Sequence, residues 1–224
     1  MHADFSRPVL AIDTSTNFLS LALQADGQTL LRHSDVGTRQ SELVLPQIGE
    51  LFAEAGIGAA DLGAIVYAQG PGAFTGLRIG TGVAQGLATP FATSLIGVPC
   101  LDAVAHQIEA EWVLAATDAR MGEVFYAWFD TASPRRLGDY RVGKAAEIEL
   151  PEGAANPQGI GNAFALADAP PFEGSAQMPT AADYLALAQT GRYAVTTAAE
   201  AELLYVRNKI ALTAKEQAAR KAGA

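Results

Sequence analysis

Asp13-Thr14-Ser15-Thr16 joins two apolar runs, and its residue types are those that bind phosphate. A tight turn there presents backbone N–H groups and hydroxyls to an anion, and the aspartate can hold hydrated Mg²⁺. Asp, Thr and Ser are equally the residues with which a solvated hairpin turn bonds its own backbone, so both readings stand. A second apolar run, Val113 to Asp118, also ends in aspartate. It leads into Ala119-Arg120-Met121-Gly122, which puts an arginine and a methionine where a second phosphate loop would be glycine-rich.

Other chemistry is thinly supplied. Ser15, Ser20, Ser34, Ser41 and Ser94 are available as nucleophiles, but no G-x-S-x-G elbow surrounds any of them and the chain has three histidines. His2 lies in a terminus, His33 near a strand end, and His106 six residues past Cys100, off the helix face that Cys100 would use. The carboxylate pairs Glu50/Glu54 and Glu109/Glu111 read as solvated positions. The single cysteine excludes an internal disulfide, fits a reducing cytoplasm, and reads as a small buried hydrophobe. The expectation is a chain with no catalytic residue and no metal site.

The most informative stretch is Tyr67 to Ala88, YAQGPGAFTGLRIGTGVAQGLA, with six glycines in one turn and one helix. Gly70-Pro71-Gly72 is a tight-turn signal and Thr75 is placed to cap the helix that follows. Gly76, Gly80, Ala84 and Ala88 then recur every fourth residue on one face. Each interior glycine costs roughly 0.8–1 kcal/mol of helix propensity against alanine, so close approach of another backbone must offset it. Either that face turns outward beside a neighbouring helix to form a seam for a partner, or it packs inward on the chain's own sheet.

A chain of 224 residues, 50% hydrophobic and 17% charged, can bury one sizeable core or two small ones. Arg78 and Gln85 interrupt its most apolar stretch, and Met1 to Pro8 shows no basic start followed by an apolar run, so a cytoplasmic protein is expected. With a net charge of −9 the chain is a poor electrostatic match to nucleic acid on its own. Pro8–Ile12, Phe18–Leu23 and Gln28–His33 read as strands, with a turn at Asp26-Gly27. Thr38 is placed to cap a helix through about Ala55, stopped by Gly56, in which Pro46 predicts a kink or a broken first turn. Strands at 64–68 and 93–98 flank the glycine-rich helix, and Leu101–Glu109 reads as a helix. The strand-turn-strand at Val9–Leu23 resembles the one at Val113–Phe129, which predicts an α/β chain built from a duplicated unit with domains at 1–107 and 108–224. Ala181–Gln189 reads as a helix and 214–224 as a basic helical tail.

Leu10-Ala11-Ile12-Asp13-Thr14-Ser15, the run Gly70 to Gly80, Asp118 to Val124 and Tyr205-Val206-Arg207-Asn208 together resemble the bacterial TsaB (YeaZ) family. The resemblance spans most of the chain, with little contributed by residues 134–200. It implies the duplicated actin, sugar kinase and Hsp70-like (ASKHA) fold, with two mixed-sheet domains and helices. It also implies a non-catalytic role in making threonylcarbamoyladenosine beside the anticodon of tRNAs that read ANN codons, as partner of TsaD and with the ATPase TsaE. TsaD-like catalytic relatives carry two histidines four residues apart where this chain has Cys100 and Val104, and valine cannot ligate a metal. A TsaD interface is expected on Ser41, Val44, Leu45 and Ile48 of the first helix and Gly76, Leu77, Gly80, Val83 and Ala84 of the second. The same seam would form a homodimer when TsaD is absent. Asp13, Thr14 and Ser15 would be a residual phosphate turn, with no nucleotide held tightly by the chain alone and ADP or ATP at the TsaD interface; tRNA would be reached only through the complex, without a membrane. The alternative is a free-standing ASKHA-type ATPase or small-molecule kinase, and more remotely a metallopeptidase.

Overall fold

The central strands of the first sheet are almost wholly apolar and buried because helices cover both of its faces. The structure, a computed structural model, describes residues 2–206. The tail at 214–224 and Arg207-Asn208 lie outside the described residues. In chain order the main elements are β1 Val9–Asp13, β2 Phe18–Ala25, β3 Gln28–Asp35, α1 Gln40–Ala55, β4 Ala64–Gly70, α2 Phe74–Ala88, β5 Ser94–Pro99 and α3 Cys100–Ala105. They continue with β6 Val113–Arg120, β7 Glu123–Asp130, β8 Arg135–Arg136, β9 Arg141–Gly143, β10 Gln158–Ile160, β11 Gly174–Ser175, α4 Ala181–Ala188 and β12 Val195–Thr196.

The first sheet runs β12-β5-β4-β1-β2-β3 and the second β11-β10-β6-β7-β8, with β9 also pairing β7. Each is built on the same unit. A hairpin (β1/β2 or β6/β7) pairs antiparallel, and its first strand pairs parallel on the other side with a later strand, β4 or β10. The turns after β1 and β6 match as well, since in each the strand's terminal aspartate accepts the backbone N–H two residues on, Asp13 from Ser15 and Asp118 from Arg120. The two mixed sheets with helices give the α/β, ASKHA-like architecture.

Alternate residues divide the first sheet into two cores. Leu10, Ile12, Leu21, Ile65 and Leu95 face α1 and α2 through Val44, Ile48, Leu51, Ala84 and Ala88. Val9, Ala11, Val66, Ile96 and Val98 face α4 and the start of α3. The second sheet packs Val113, Ala115, Ala127 and Phe129 on Leu101, Val104 and Ala105 of α3, which is therefore wedged between the sheets. Its other face buries Leu114, Ala116 and Trp128 under Ala145, Ile148 and Ala163.

Four expectations need correction. First, α4 and β12 do not belong to the second sheet: α4 covers the face of the first sheet opposite α1/α2, and β12 adds to its β5 edge, so the chain after 180 leaves the 108–224 unit. Second, α1 begins at Gln40, not at a Thr38 cap, because the buried Gln40 amide donates to the Thr16 carbonyl at 2.7 Å and ties the first turn to the β1–β2 loop. The helix runs unbroken past Pro46 and ends at Gly56, which is left-handed at φ 66°. Third, α2 begins at Phe74 after Ala73, whose N–H donates to the Ser15 carbonyl at 2.8 Å; the neighbouring turn fixes the entry, and Thr75 caps nothing. Fourth, α3 stops at Ala105 instead of reaching Glu109. No helix of the described residues is long and apolar enough to cross a membrane.

Candidate functional site

A cleft of about 770 Å³ opens between the two sheets where the matched turns face each other. Ser15 and Thr16 line it from the β1–β2 turn, Asp118 and Arg120 from the β6–β7 end, and Gly72 and Phe74 from the α2 entry. Leu204 and Tyr205 close a third side. The segment that carries them crosses back over the first sheet: Leu204 N–H donates to the Gln69 carbonyl at 2.8 Å, and Gln85 donates to the Ala198 carbonyl at 2.9 Å. Tyr205 stands beside the Phe74 ring, with the Arg78 guanidinium 3.3 Å from the Phe74 centroid.

The β1–β2 turn is buried, not solvated, and its polar groups serve the protein. Asp13 Oδ1 accepts the Ser15 N–H at 2.8 Å, and Thr14 Oγ1 donates to the Gly76 carbonyl at 2.7 Å. Asp118 Oδ1 repeats the pattern on the Arg120 N–H at 2.7 Å and its other oxygen meets the Arg120 guanidinium at 3.3 Å. The Asp118 N–H donates to Asn162 Oδ1. Both turns are therefore aspartate-bonded loops in which the Ser15 and Arg120 N–H groups are committed. Of Asp13, Thr14 and Ser15, Ser15 lines the cleft, while Asp13 and Thr14 are buried behind it.

Burial pushes the Asp13 carboxyl above its ordinary range, against the hydrogen bonds from Ser15, which lower it. A group whose folded value is raised contributes most below its unfolded value and loses that contribution as pH rises through the folded one, so the ionised carboxylate stands at a cost at neutral pH. Asp13→Asn keeps the Oδ1 acceptor and removes the charge. It is expected to raise the thermal midpoint at pH 7, with the gain shrinking toward pH 4. Asp13→Ala leaves the Ser15 N–H unpaired and is expected to cost about 1–3 kcal/mol. Denaturation across pH reads both.

Cys100 packs in the first-sheet core and Val104 against the second sheet, so the pair at the histidine positions is interior packing. Burial pushes the Cys100 thiol up to about 12. Alkylation at pH 8 is expected to run about a thousandfold slower in the folded chain than in urea.

The glycine stripe faces inward. Gly76, Leu77, Gly80 and Ala84 are buried, and a Cβ on Gly76 or Gly80 would strike Thr14. Val44 and Ile48 are likewise buried against the sheet. Of the expected interface set, Ile48, Gly76, Leu77, Gly80 and Ala84 are turned away from the outer face of α1 and α2; Val44 is buried but reaches the floor between the helices, Ser41 and Leu45 are exposed and Val83 is half-buried. The last four line an outer groove of about 480 Å³ between α1 and α2 with Arg78, Ile79, Gly82, Gly86 and Leu87. Gly82 and Gly86 form a second four-residue stripe that the first one hides in the sequence, and a Cβ at either meets nothing within 4 Å.

A family model described as "TsaD: tRNA N6-adenosine threonylcarbamoyltransferase" matches residues 35–216. The Escherichia coli "tRNA threonylcarbamoyladenosine biosynthesis protein TsaB" is 43% identical over 124 residues, 53% of each chain. This chain thus spans about half the length of the curated relatives it matches. Among solved structures, "YeaZ from Pseudomonas aeruginosa" superposes with a TM-score of 0.81 at 32% identity over 89% of this chain and 100% of that one. A second, described as "an uncharacterized protein with similarity to peptidase YEAZ from Pseudomonas aeruginosa", gives a TM-score of 0.80 at 32% identity over 90% of this chain and 100% of that one. Domain, sequence and full-length structural likeness converge, and the chain belongs to the TsaB (YeaZ) family.

Proposed function

We propose that this chain is a non-catalytic, cytoplasmic subunit in the formation of threonylcarbamoyladenosine on tRNA, docking a TsaD partner through the outer groove of α1 and α2. The observation that carries the reading is the groove itself. Leu45 is 55% exposed, Ile79, Val83 and Leu87 are half-buried beside it, and Gly82 and Gly86 leave open backbone along its length. Two helices of a partner laid there would make a four-helix seam with close backbone contact. In the absence of TsaD a second copy of the chain would take the same seam.

The Ser15 and Arg120 N–H groups, each bonded to its own turn's aspartate, support the non-catalytic reading, since neither is free for a phosphate. The chain alone would hold no nucleotide tightly, and any ADP or ATP site would be completed by TsaD. TsaE would join the TsaD complex, and tRNA would enter through that complex.

The test is reconstitution from purified TsaD, TsaE, tRNA, ATP and threonylcarbamoyl-adenylate, assayed for modified adenosine with and without this chain. Modification that requires the chain, with no ATP turnover by the chain alone, is the expected result. Equal modification without it overturns the reading.

A further inference from the structure

On the far side of the lobe junction from the cleft, α3, the β7–β8 hairpin and the loop after α4 enclose a pocket of about 240 Å³ lined by Arg135, Arg136 and Arg192. Three guanidiniums around one small pocket are a marked departure in a chain of net charge −9. Their placement is built from a single carboxylate. Asp102, partly buried on α3, accepts the Tyr140 hydroxyl at 2.6 Å on one oxygen and the Tyr193 hydroxyl at 3.0 Å on the other. Each tyrosine ring in turn stands by an arginine: the Arg136 guanidinium lies 3.9 Å from the Tyr140 centroid, and that of Arg192 lies 5.8 Å from the Tyr193 centroid.

The arginines are further held by neutral oxygens. Arg136 Nε donates to the Gly138 carbonyl at 2.6 Å, Arg192 Nη1 to the Pro134 carbonyl at 2.8 Å, and Arg192 Nε to Thr190 Oγ1 at 3.1 Å. Arg135 has a carboxylate partner, Asp130, at 3.6 Å. Among the described residues no carboxylate comes within 4 Å of Arg136 or Arg192. The other acidic group lining the pocket is Glu109, which is exposed, and His106 stands beside it. Two cationic forks are thus held in place with N–H groups left over, while the carboxylate between them is occupied by hydroxyls.

We propose that this pocket binds a phosphate group, with Arg136 and Arg192 as its two forks, Arg135 as a third cation, and Tyr140 and Tyr193 as positioning residues. Planar guanidiniums present paired N–H groups that match phosphate oxygens, and ring-seated ones lose less freedom on binding. The phosphate is either free or part of an RNA backbone. The site is separate from the α1/α2 groove, so its failure would leave the docking reading untouched.

The experiment titrates the full chain with inorganic phosphate at constant ionic strength by calorimetry, and separately with unmodified tRNA at several salt concentrations. Arg136→Gln/Arg192→Gln is expected to weaken phosphate binding at least tenfold. A matching loss of tRNA affinity, with a shallower salt dependence, assigns the phosphate to RNA; unchanged tRNA affinity assigns it to a free phosphate. If the double variant does not fold, arginine side-chain NMR signals of the wild-type chain, assigned with Arg136→Lys and Arg192→Lys, take its place, and phosphate is expected to shift both. Absence of phosphate binding by the wild-type chain, binding unchanged in the double variant, or phosphate that leaves both signals in place overturns the proposal.

Discussion

A Gly76→Val chain is expected to lose its fold or to melt far below the parent, although the substitution sits on a helix where valine is ordinarily tolerated. The Gly76 Cα lies against the Thr14 backbone so closely that any Cβ would overlap the Thr14 carbonyl oxygen, and Thr14 Oγ1 donates back to the Gly76 carbonyl at 2.7 Å. Backbone stands on both sides of the contact, so no side chain can swing away. Overpacking of this kind costs about 3 kcal/mol or more, which for a chain of this length lowers the midpoint by roughly 6–12 °C. Gly80→Leu is also expected to destabilise, because its Cβ would come to 2.5 Å from Thr14 Oγ1 and push that hydroxyl off the Gly76 carbonyl. It therefore tests folding and not docking. Gly82→Ala is the control: the space there is open and the helix gains about 0.8–1 kcal/mol, so its midpoint is expected to rise. Calorimetric melting of the three chains decides it, and a Gly76→Val midpoint within 2 °C of the parent would sink the argument.

Gly86→Trp is expected to do the opposite: fold normally and lose its partner. Gly86 opens into the outer groove with nothing within 4 Å, so an indole there fills the channel through which a second pair of helices would approach. Close helix packing at 8–10 Å between axes does not accommodate it. Affinity for a purified TsaD partner is expected to fall at least a hundredfold, with an unchanged melting profile, and the homodimer is expected to dissociate in sedimentation. Leu45→Asp acts from the other wall by placing a charge in the seam, at a residue 55% exposed and so free of folding cost. Undiminished binding by both variants would remove the groove from the reading.

Most strands were legible because their run lengths and bounding turn residues are local. Val9 to Ile12, Ala64 to Ala68 and, within the strand read at 93–98, Leu95 to Val98 are apolar runs, the mark of strands covered on both faces, and the structure covers them. The helix starts were misjudged at Thr38 and Thr75 for a common reason. Each helix is entered through a hydrogen bond from a distant turn, Gln40 to Thr16 and Ala73 to Ser15, and a contact between residues far apart in the chain leaves no trace in a local capping pattern. The outer groove was half legible. Ser41, Val44, Leu45 and Val83 were named and line it, while Gly76 and Gly80, named with them, face inward on Thr14.

The order of types along the chain determined the duplicated strand-turn-strand unit, the two mixed sheets, the glycine-rich helix and the buried cysteine, because periodicity and turn chemistry act over a few residues. Tertiary structure alone decided which glycines face inward, since Gly76 and Gly80 share their four-residue spacing with Gly82 and Gly86 and only the position of Thr14 tells the two faces apart. It also decided that α4 returns to the first sheet, because the bare face it covers exists only once β1, β4 and β5 have paired. And it alone brought Arg136 and Arg192 to one pocket, through two tyrosines that meet on a single carboxylate from a third element.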